Sequence, residues 1–231
     1  MKIIIPLAGP DFILPDGSTK AEIKYAGKDL LHFILQKRSW YESVPSDQYI
    51  FILQDKKETR RLVLEKLQVW FPNCKSVFLS QTTEGAAFTI TAALPYINDL
   101  DESLLIDLAD IDYSIDAPVM PVFEALSKDD ALAFTFDSDN PLYSYLEYDQ
   151  NGQFLRAREK EVISSIASAG TYFFGSLRTL LNAYQYVLKN KSTNIYNGLM
   201  YVCPLFNGVK AISGQVQSVN VSNVVDLKLG G

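Results

Sequence analysis

Histidine is nearly absent from this chain of 231 residues, with His32 the only one. A Ser-His-Asp type of nucleophilic system or a histidine-rich metal site is therefore all but excluded. His32 falls in an amphipathic stretch and reads as a helix-surface residue. Cysteine is scarce as well: Cys74 and Cys203 are too few for a disulfide framework, and a reducing, cytoplasmic compartment fits that usage. Positive charge is in deficit, with 21 Lys and Arg against 27 Asp and Glu, a net charge of −6 and a pI of about 4.9. The basic residues are scattered, so no nucleic-acid groove is expected. No apolar run is long enough to cross a bilayer, and the opening KIIIPLAG is too short for a signal peptide, so neither a membrane span nor a leader is expected. What the chain does have is 48% hydrophobic and 12% aromatic residues, enough for a sizeable core. Its length suits one large domain or two small ones.

The stretch from Lys2 to Leu31 organises the rest. KIIIPLAG is an apolar run stopped by Pro6 and Gly9, which reads as a buried strand. A polar loop with Gly9, Pro10, Pro15, Gly17 and Lys20 follows. KYAGKDLLHFILQKRSW then reads as a turn at Gly27 and an amphipathic helix with Leu30, Leu31, Ile34 and Leu35 on one face. Strand, loop, lysine and helix make the first unit of an open α/β sheet, in which ligands bind at the carboxyl ends of the strands.

Further strands are expected at Gln48–Asp55, Lys75–Ser80 and Ser103–Ala109, with a helix over Lys56–Phe71 whose apolar positions include Leu62, Leu64, Leu67 and Val69. Alternation of this kind predicts a mostly parallel sheet with helices on both faces. Thr82 and Thr83 are placed to cap a helix from about Gly85 to Tyr96, and Gly85 would let a ligand approach backbone N–H groups. The same segment also reads as a plain capped helix with a small-residue packing face. Asp110 follows a strand's carboxyl end, where a carboxylate can hold Mg²⁺ against phosphate oxygens. Asp112 is a second candidate, and Asp107 is given no role. Later, Tyr143–Asp149 and Gly152–Glu159 read as a hairpin about an Asp149–Gly152 turn. Glu159 could accept hydrogen bonds from ligand hydroxyls and Lys160 could bind a phosphate as a point charge. The pair also reads as a surface ion pair in the charged run Arg156–Glu161. Ser176–Asn190 reads as a helix with Leu177, Leu180, Leu181, Tyr184 and Val187 facing inward.

These segments resemble the sugar-nucleotide pyrophosphorylases, and most closely nucleotidyltransferase-like proteins of capsular polysaccharide loci. PLAG matches the start of the family's phosphate loop, and GKDLL stands in for its G-K-P-L-I stretch. That spacing puts Lys20 on the family's P-K lysine, with Thr19 in place of the proline. The phosphate loop is degenerate: after Gly9 come Pro10, Asp11 and Phe12, and no arginine occurs before Arg38. Pro10 lacks an N–H, and Asp11 would repel phosphate. QTTEGAA resembles the segment that contacts the nucleobase. The most specific match runs through Tyr143, Ser144, Tyr145, Gly152, Glu159, Lys160, Ser164, Ala167, Gly170, Tyr172 and Phe174. Near the C-terminal end of the sequence, Asp226 falls on the family's second metal aspartate, with Leu227 to Gly230 in place of its G-T.

The resemblance implies one α/β domain over 1–231 of the GT-A-like, Rossmann-like nucleotidyltransferase fold, a mixed and mostly parallel sheet flanked by helices. Residues 1–110 would form the nucleotide-binding half and 111–231 the sugar-binding half. It implies a nucleotidyltransferase that joins an NTP to a sugar or polyol phosphate and releases pyrophosphate, with self-association left open. The implied roles are catalytic for Lys20, Lys160 and Asp110, and nucleotide-binding for Leu7, Ala8, Gly9, Gln81, Thr83, Gly85 and Ala86. Tyr145, Glu159 and Gly170 would bind sugar, and Asp110 and Asp226 would hold Mg²⁺. The altered loop keeps open a catalytically impaired homologue that binds nucleotide-sugar. Asp110-Ile-Asp112 keeps open a GT-A glycosyltransferase, against which the GKDLL and Glu159-Lys160 segments argue.

Overall fold

The computed structural model of the chain describes residues 1–227; of the C-terminal segment, Gly230 and its neighbours lie outside the described residues. The first half alternates strand and helix. It runs through β1 (Lys2–Pro6), a small hairpin of β2 (Lys24–Tyr25) and β3 (Lys28–Asp29), α1 (Leu30–Gln36) and β4 (Tyr49–Gln54). Next come α2 (Lys57–Leu62), a wide π turn over Val63–Leu67 and α3 (Gln68–Trp70). β5 (Lys75–Leu79), α4 (Ala86–Ile90) with a tighter turn over Thr91–Tyr96, and β6 (Leu104–Asp107) complete it.

The second half is mostly antiparallel. It comprises β7 (Ile111–Ser114), α5 (Met120–Ala125), β8 (Ala131–Asp137), the hairpin of β9 (Ser144–Tyr148) and β10 (Phe154–Glu159), and the long β11 (Ile166–Phe174). α6 (Leu177–Lys189), α7 (Lys191–Asn194), α8 (Leu205–Ala211), β12 (Val216–Asn220) and β13 (Ser222–Asp226) follow.

Among the described residues, nine strands form one mixed sheet. β6, β1, β4 and β5 lie side by side and parallel, with Ile4 opposite Ile50 on one side and Leu105 opposite Ile3 on the other. β11 runs antiparallel to β6 and carries β8 along its other edge, and β12 pairs parallel with β8. β9 joins through Tyr145 opposite Ala167. Outside this sheet, β13 pairs with β7.

The two-residue period of a strand divides the core into two layers. Ile3 and Ile5 of β1 face one layer with Leu31, Leu35, Trp40, Leu62, Leu67 and Phe123, while Ile4 faces the other with Ile90, Leu180, Val187 and Phe206. Each such buried aliphatic side chain contributes about 1.5–3 kcal/mol, which is why an unbroken apolar run suits a strand covered on both faces. Ser176 caps α6 by accepting from the Thr179 N–H at 3.1 Å.

Two expectations about helix faces are corrected. Leu64 is 75% and Val69 69% exposed, because Leu64 lies two residues from buried Leu62 on the opposite side and the wide turn carries Val69 outward. Leu181 points partly to solvent, while Leu177, Leu180, Tyr184 and Val187 are buried as expected. His32 is half-buried on α1, with its ring stacked on Trp70 at 4.9 Å.

Candidate active site

Parallel strands end together, so their carboxyl-end loops share one rim. The loop after β1 leaves the sheet at Leu7, whose N–H donates to the Ile52 carbonyl at 2.7 Å. Leu7 and Ala8 are buried and Gly9 is exposed. Gln54, at the end of β4, donates its amide to the carbonyls of Ala8 at 3.0 Å and Gly9 at 3.2 Å. A tight turn follows, with Phe12 N–H bonded to the Gly9 carbonyl at 3.2 Å and the Phe12 ring buried beneath it. Lys20 ends the loop. Glu22 fixes the backbone there by accepting from the Thr19 N–H and hydroxyl, each at 2.9 Å, and Arg61 holds Glu22 at 2.7 Å. The Lys20 ammonium pairs with Asp11. Both groups are substantially exposed, so the pair contributes less than about 1 kcal/mol to stability. Its effect is on charge: the loop's lysine is held against the loop's carboxylate.

Three aspartates cluster at the end of β6, and their surroundings separate them. Asp107 is fully buried and forms a two-pronged ion pair with Arg38, Nε to Oδ2 at 2.8 Å and Nη2 to Oδ1 at 3.2 Å. Arg38 also donates to the Ile111 carbonyl at 3.0 Å and lies 3.8 Å over the Tyr113 ring. Burial works most strongly against the Arg38 charge, but Asp107, Tyr113 and Asp112 together outweigh it and raise the pKa. Removing one member of such a pair costs about 3–5 kcal/mol, because the other is left buried and charged. Asp112 is buried too, and Lys37 holds both its oxygens at 2.6 and 2.7 Å. The expectation of Asp112 as a second candidate ligand is thereby corrected: it belongs to an ion pair with the end of α1.

Between them, Ala109 has φ +53°, a left-handed conformation that costs an alanine about 1–2 kcal/mol. Its N–H donates to Asp107 Oδ1 at 2.9 Å. Asp110 follows. The β7–β13 pairing sets Asp226 opposite Ile111, and the Leu227 N–H donates to the Asp110 carbonyl at 3.0 Å. The fold thus brings Asp110 and Asp226 together from distant parts of the chain. Tyr143, given no role from sequence, hydrogen-bonds Asp226, and its phenol is pushed up to about 12 by burial and by that bond.

The hairpin approaches the same place. Lys160 N–H donates to the Tyr143 carbonyl at 3.0 Å, and Lys160 has φ +52°. Glu159 is buried and accepts from the Ser144 hydroxyl. Lys160 instead lies over two rings, 5.7 Å from Tyr196 and 5.6 Å from Tyr201. Gly170 has φ +75°, and a Cβ there would stand 3.1 Å from Asp110 Oδ1. Tyr172 is buried close by, its phenol raised by burial with smaller contributions from Glu159 and Asp110. Asp110, Asp226, Glu159, Lys160 and Gly170 therefore share one region. Tyr145 does not present itself to a ligand: it is fully buried, and its hydroxyl donates to the Asn140 carbonyl at 2.7 Å. The sugar-contact expectation for Tyr145 is corrected to a core role, because its side chain is fully buried and its hydroxyl is already engaged by the Asn140 carbonyl.

Around the start of α4, Gln81 is exposed and Ala86 half-buried. Thr83 does not cap the helix through an N–H. Its hydroxyl meets Thr89 Oγ1 at 2.7 Å and donates to the Gly85 carbonyl at 3.1 Å. Gly85 is required for packing, since at φ +108° a Cβ would run into the backbone of Met200. Met200 N–H bonds the Glu84 carbonyl at 2.8 Å, and its carbonyl accepts from the Ala87 N–H at 3.0 Å. This link joins the 81–86 segment to Tyr201 and so to Lys160.

No family model and no curated protein matches the chain. Solved structures do match across its length. The chain is similar to the nucleoside-diphosphate-sugar pyrophosphorylase of Vibrio cholerae RC9, with TM-score 0.81, 20% identity, and 98% of this chain and 95% of that one covered. It is similar to a putative glucose-1-phosphate thymidylyltransferase of Bacillus anthracis in complex with a sucrose, with TM-score 0.69, 15% identity and 98% and 89% covered. A UDP-glucose pyrophosphorylase complexed with UDP-glucose matches with TM-score 0.68, 12% identity and 98% and 92% covered. The fold is the mixed, mostly parallel Rossmann-like sheet of the nucleotidyltransferases.

Proposed function

We propose that this chain is a nucleotidyltransferase, forming a nucleotide-sugar or nucleotide-polyol and pyrophosphate from an NTP and a sugar or polyol phosphate. The observation that carries the reading is the meeting of Asp110 and Asp226 at the strand-end rim, beside Gly170, Glu159 and Lys160. The whole chain then works as one unit, with residues 1–110 receiving the nucleotide and 111–231 the sugar.

The donor set suits Mg²⁺. Two hard carboxylates are present, and among the described residues no group of three or more His, Cys, Asp or Glu could hold a metal by itself. Mg²⁺ characteristically takes one or two carboxylates and completes its shell with water and substrate phosphate oxygens. When bound, it would neutralise phosphate charge. Asp110 and Asp226 would hold it, and Tyr143 would fix Asp226 by its hydrogen bond.

In the reaction, a phosphate oxygen of the sugar phosphate forms a bond to the α-phosphorus, and the bond from that phosphorus to the β-phosphate bridging oxygen breaks. No proton transfer is required, so the protein's contribution is positioning and charge. Glu159 accepts hydrogen bonds from sugar hydroxyls. Lys160 moves from its tyrosine rings to the sugar's phosphate. Leu7, Ala8, Gly9, Gln81, Thr83, Gly85 and Ala86 border the nucleotide, and Lys20 faces the leaving phosphates once parted from Asp11. The Asp110-Ile-Asp112 glycosyltransferase reading loses support, because Lys37 engages Asp112.

One observation favours a second reading, a binding protein with impaired chemistry: the lysine that should meet the leaving pyrophosphate is paired with Asp11, next to a proline without an N–H. A thermal-shift screen of the four NTPs and their nucleotide-sugars with Mg²⁺, followed by a pyrophosphate-release assay, separates the two. Turnover of about 1 per second or faster supports the transferase. Stabilisation by nucleotide-sugar without turnover supports the impaired homologue, and stabilisation by none of these ligands refutes both.

A further inference from the structure

We infer that Arg38 and Asp107 are positioning residues that hold Asp110 in place through the backbone on either side of it. The inference rests on the reading of Asp110 as a divalent-cation ligand. Asp110 sits between two held points. On one side the strained left-handed turn at Ala109 is retained by its N–H bond to Asp107 Oδ1 at 2.9 Å. On the other the Ile111 carbonyl is retained by Arg38 Nη2 at 3.0 Å. The two holding groups are themselves locked together, and both are withdrawn from solvent. Thr171 adds a bond to Asp107 Oδ1 at 3.3 Å and is itself bonded to the Tyr113 hydroxyl at 2.7 Å.

A purely structural ion pair would not need this arrangement. A buried pair of opposite charges is often replaced by apolar residues without loss of stability. Here each charged group also holds a main-chain atom adjoining Asp110, and Arg38 Nη1 is buried without a hydrogen-bond partner among the described residues. A buried charge that is incompletely satisfied, next to a strained residue, is the pattern expected where a local conformation is held for function.

The test separates holding from packing. Arg38→Met with Asp107→Leu removes both charges together and leaves none unpaired. Arg38→Lys is the milder variant: it keeps a charge opposite Asp107 but not the planar fork that reaches Ile111. Mn²⁺, a Mg²⁺ surrogate with a direct spectroscopic signal, is titrated in the presence of ADP, CDP, GDP or UDP, whichever most stabilises the wild-type protein, and melting temperature is recorded alongside. The expected result is a double variant melting near wild type but binding Mn²⁺ about 10–100-fold more weakly, the range for groups that orient metal ligands. Arg38→Lys should lose several-fold. Adding Ala109→Gly to the double variant, which relieves the backbone strain, should recover part of the affinity. Wild-type affinity in the folded double variant and in folded Arg38→Lys overturns the inference alone. Absence of any Mn²⁺ binding by the wild-type protein, or wild-type affinity in Asp110→Asn, overturns it together with the reading of Asp110.

Discussion

Replacing Gly170 by alanine tests the site's geometry with a single methyl group. Two separate effects act there. The backbone is at φ +75°, where an alanine costs about 1–2 kcal/mol. For a chain of this size that corresponds to a fall in Tm of about 2–8 °C. The added methyl would also stand 3.1 Å from Asp110 Oδ1, so the carboxylate must turn or withdraw by a few tenths of an ångström. Gly152 provides a matched control: it has φ +76° and nothing within 4 Å of the methyl. Gly152→Ala should therefore reproduce the loss of Tm without touching the site. The assay is thermal melting of both variants with and without Mn²⁺ and nucleotide, together with direct Mn²⁺ titration. Gly170→Ala should lose about tenfold or more in Mn²⁺ affinity, or about 1.4 kcal/mol, beyond anything seen in Gly152→Ala. If the two variants bind Mn²⁺ equally well, Asp110 is not oriented towards a metal as argued, and the site must be redrawn.

Asp110→Asn should abolish divalent-dependent stabilisation by nucleotides while leaving the metal-free Tm within a few degrees of wild type; retention of the metal effect in the same melts would remove Asp110 from the ligand set. Lys160→Ala should weaken sugar-phosphate binding more than nucleotide binding in titration calorimetry, and equal losses for both would return Lys160 to a packing role over Tyr196 and Tyr201. Asp11→Asn should leave stability within about 1 kcal/mol, since the Lys20 pair is exposed, and should tighten triphosphate more than monophosphate binding; no difference between the two ligands would show that the loop does not meet the terminal phosphates. For pH, burial holds the His32 imidazole below its ordinary range, with Lys28 adding to this and Asp29 opposing it. The unfolded chain then protonates at a higher pH than the folded one, so His32 favours folding fully above about pH 6.5 and loses that contribution as pH falls through its folded value. His32→Gln should flatten the acid-side slope of Tm below about pH 6.5, and an unchanged slope would assign it to other groups.

Most strands were legible as apolar runs because burial on both sheet faces leaves no polar position to interrupt them. KIIIP and YIFIL are such cases, and the hairpin around Asp149–Gly152 carries its turn residues in plain sight. Asp110 stands out in the sequence as a candidate because it directly follows an apolar run. Its supports do not. Asp107 breaks the same run, but its partner Arg38 lies 69 residues away, and no local pattern encodes which basic residue crosses that distance. The β7–β13 pair was equally hidden, since SNVVD is short and half-exposed and reads as an ordinary C-terminal strand. Tyr145 is hard to read for a related reason: alternation in YSYLEYD places residues on alternate faces, but it does not say which face the rest of the chain will bury. Gly85 stands out in sequence as a place of close backbone approach, but the sequence does not say that one visitor is the backbone of Met200.

The pairing of β13 with β7 has a consequence for the newly made chain. β1, β4, β5 and β6 leave the ribosome early and can associate among themselves, and the hairpin and β11 can then dock on β6. Asp226 emerges after every one of them. A nascent chain can thus reach a largely native sheet before Asp226 stands beside Asp110, and on the proposed reading of the two as cation ligands such a chain would offer a divalent cation only half of the expected grip. Metal and nucleotide would in that case act as late selectors, engaging chains whose β13 has docked and leaving the others open to quality control.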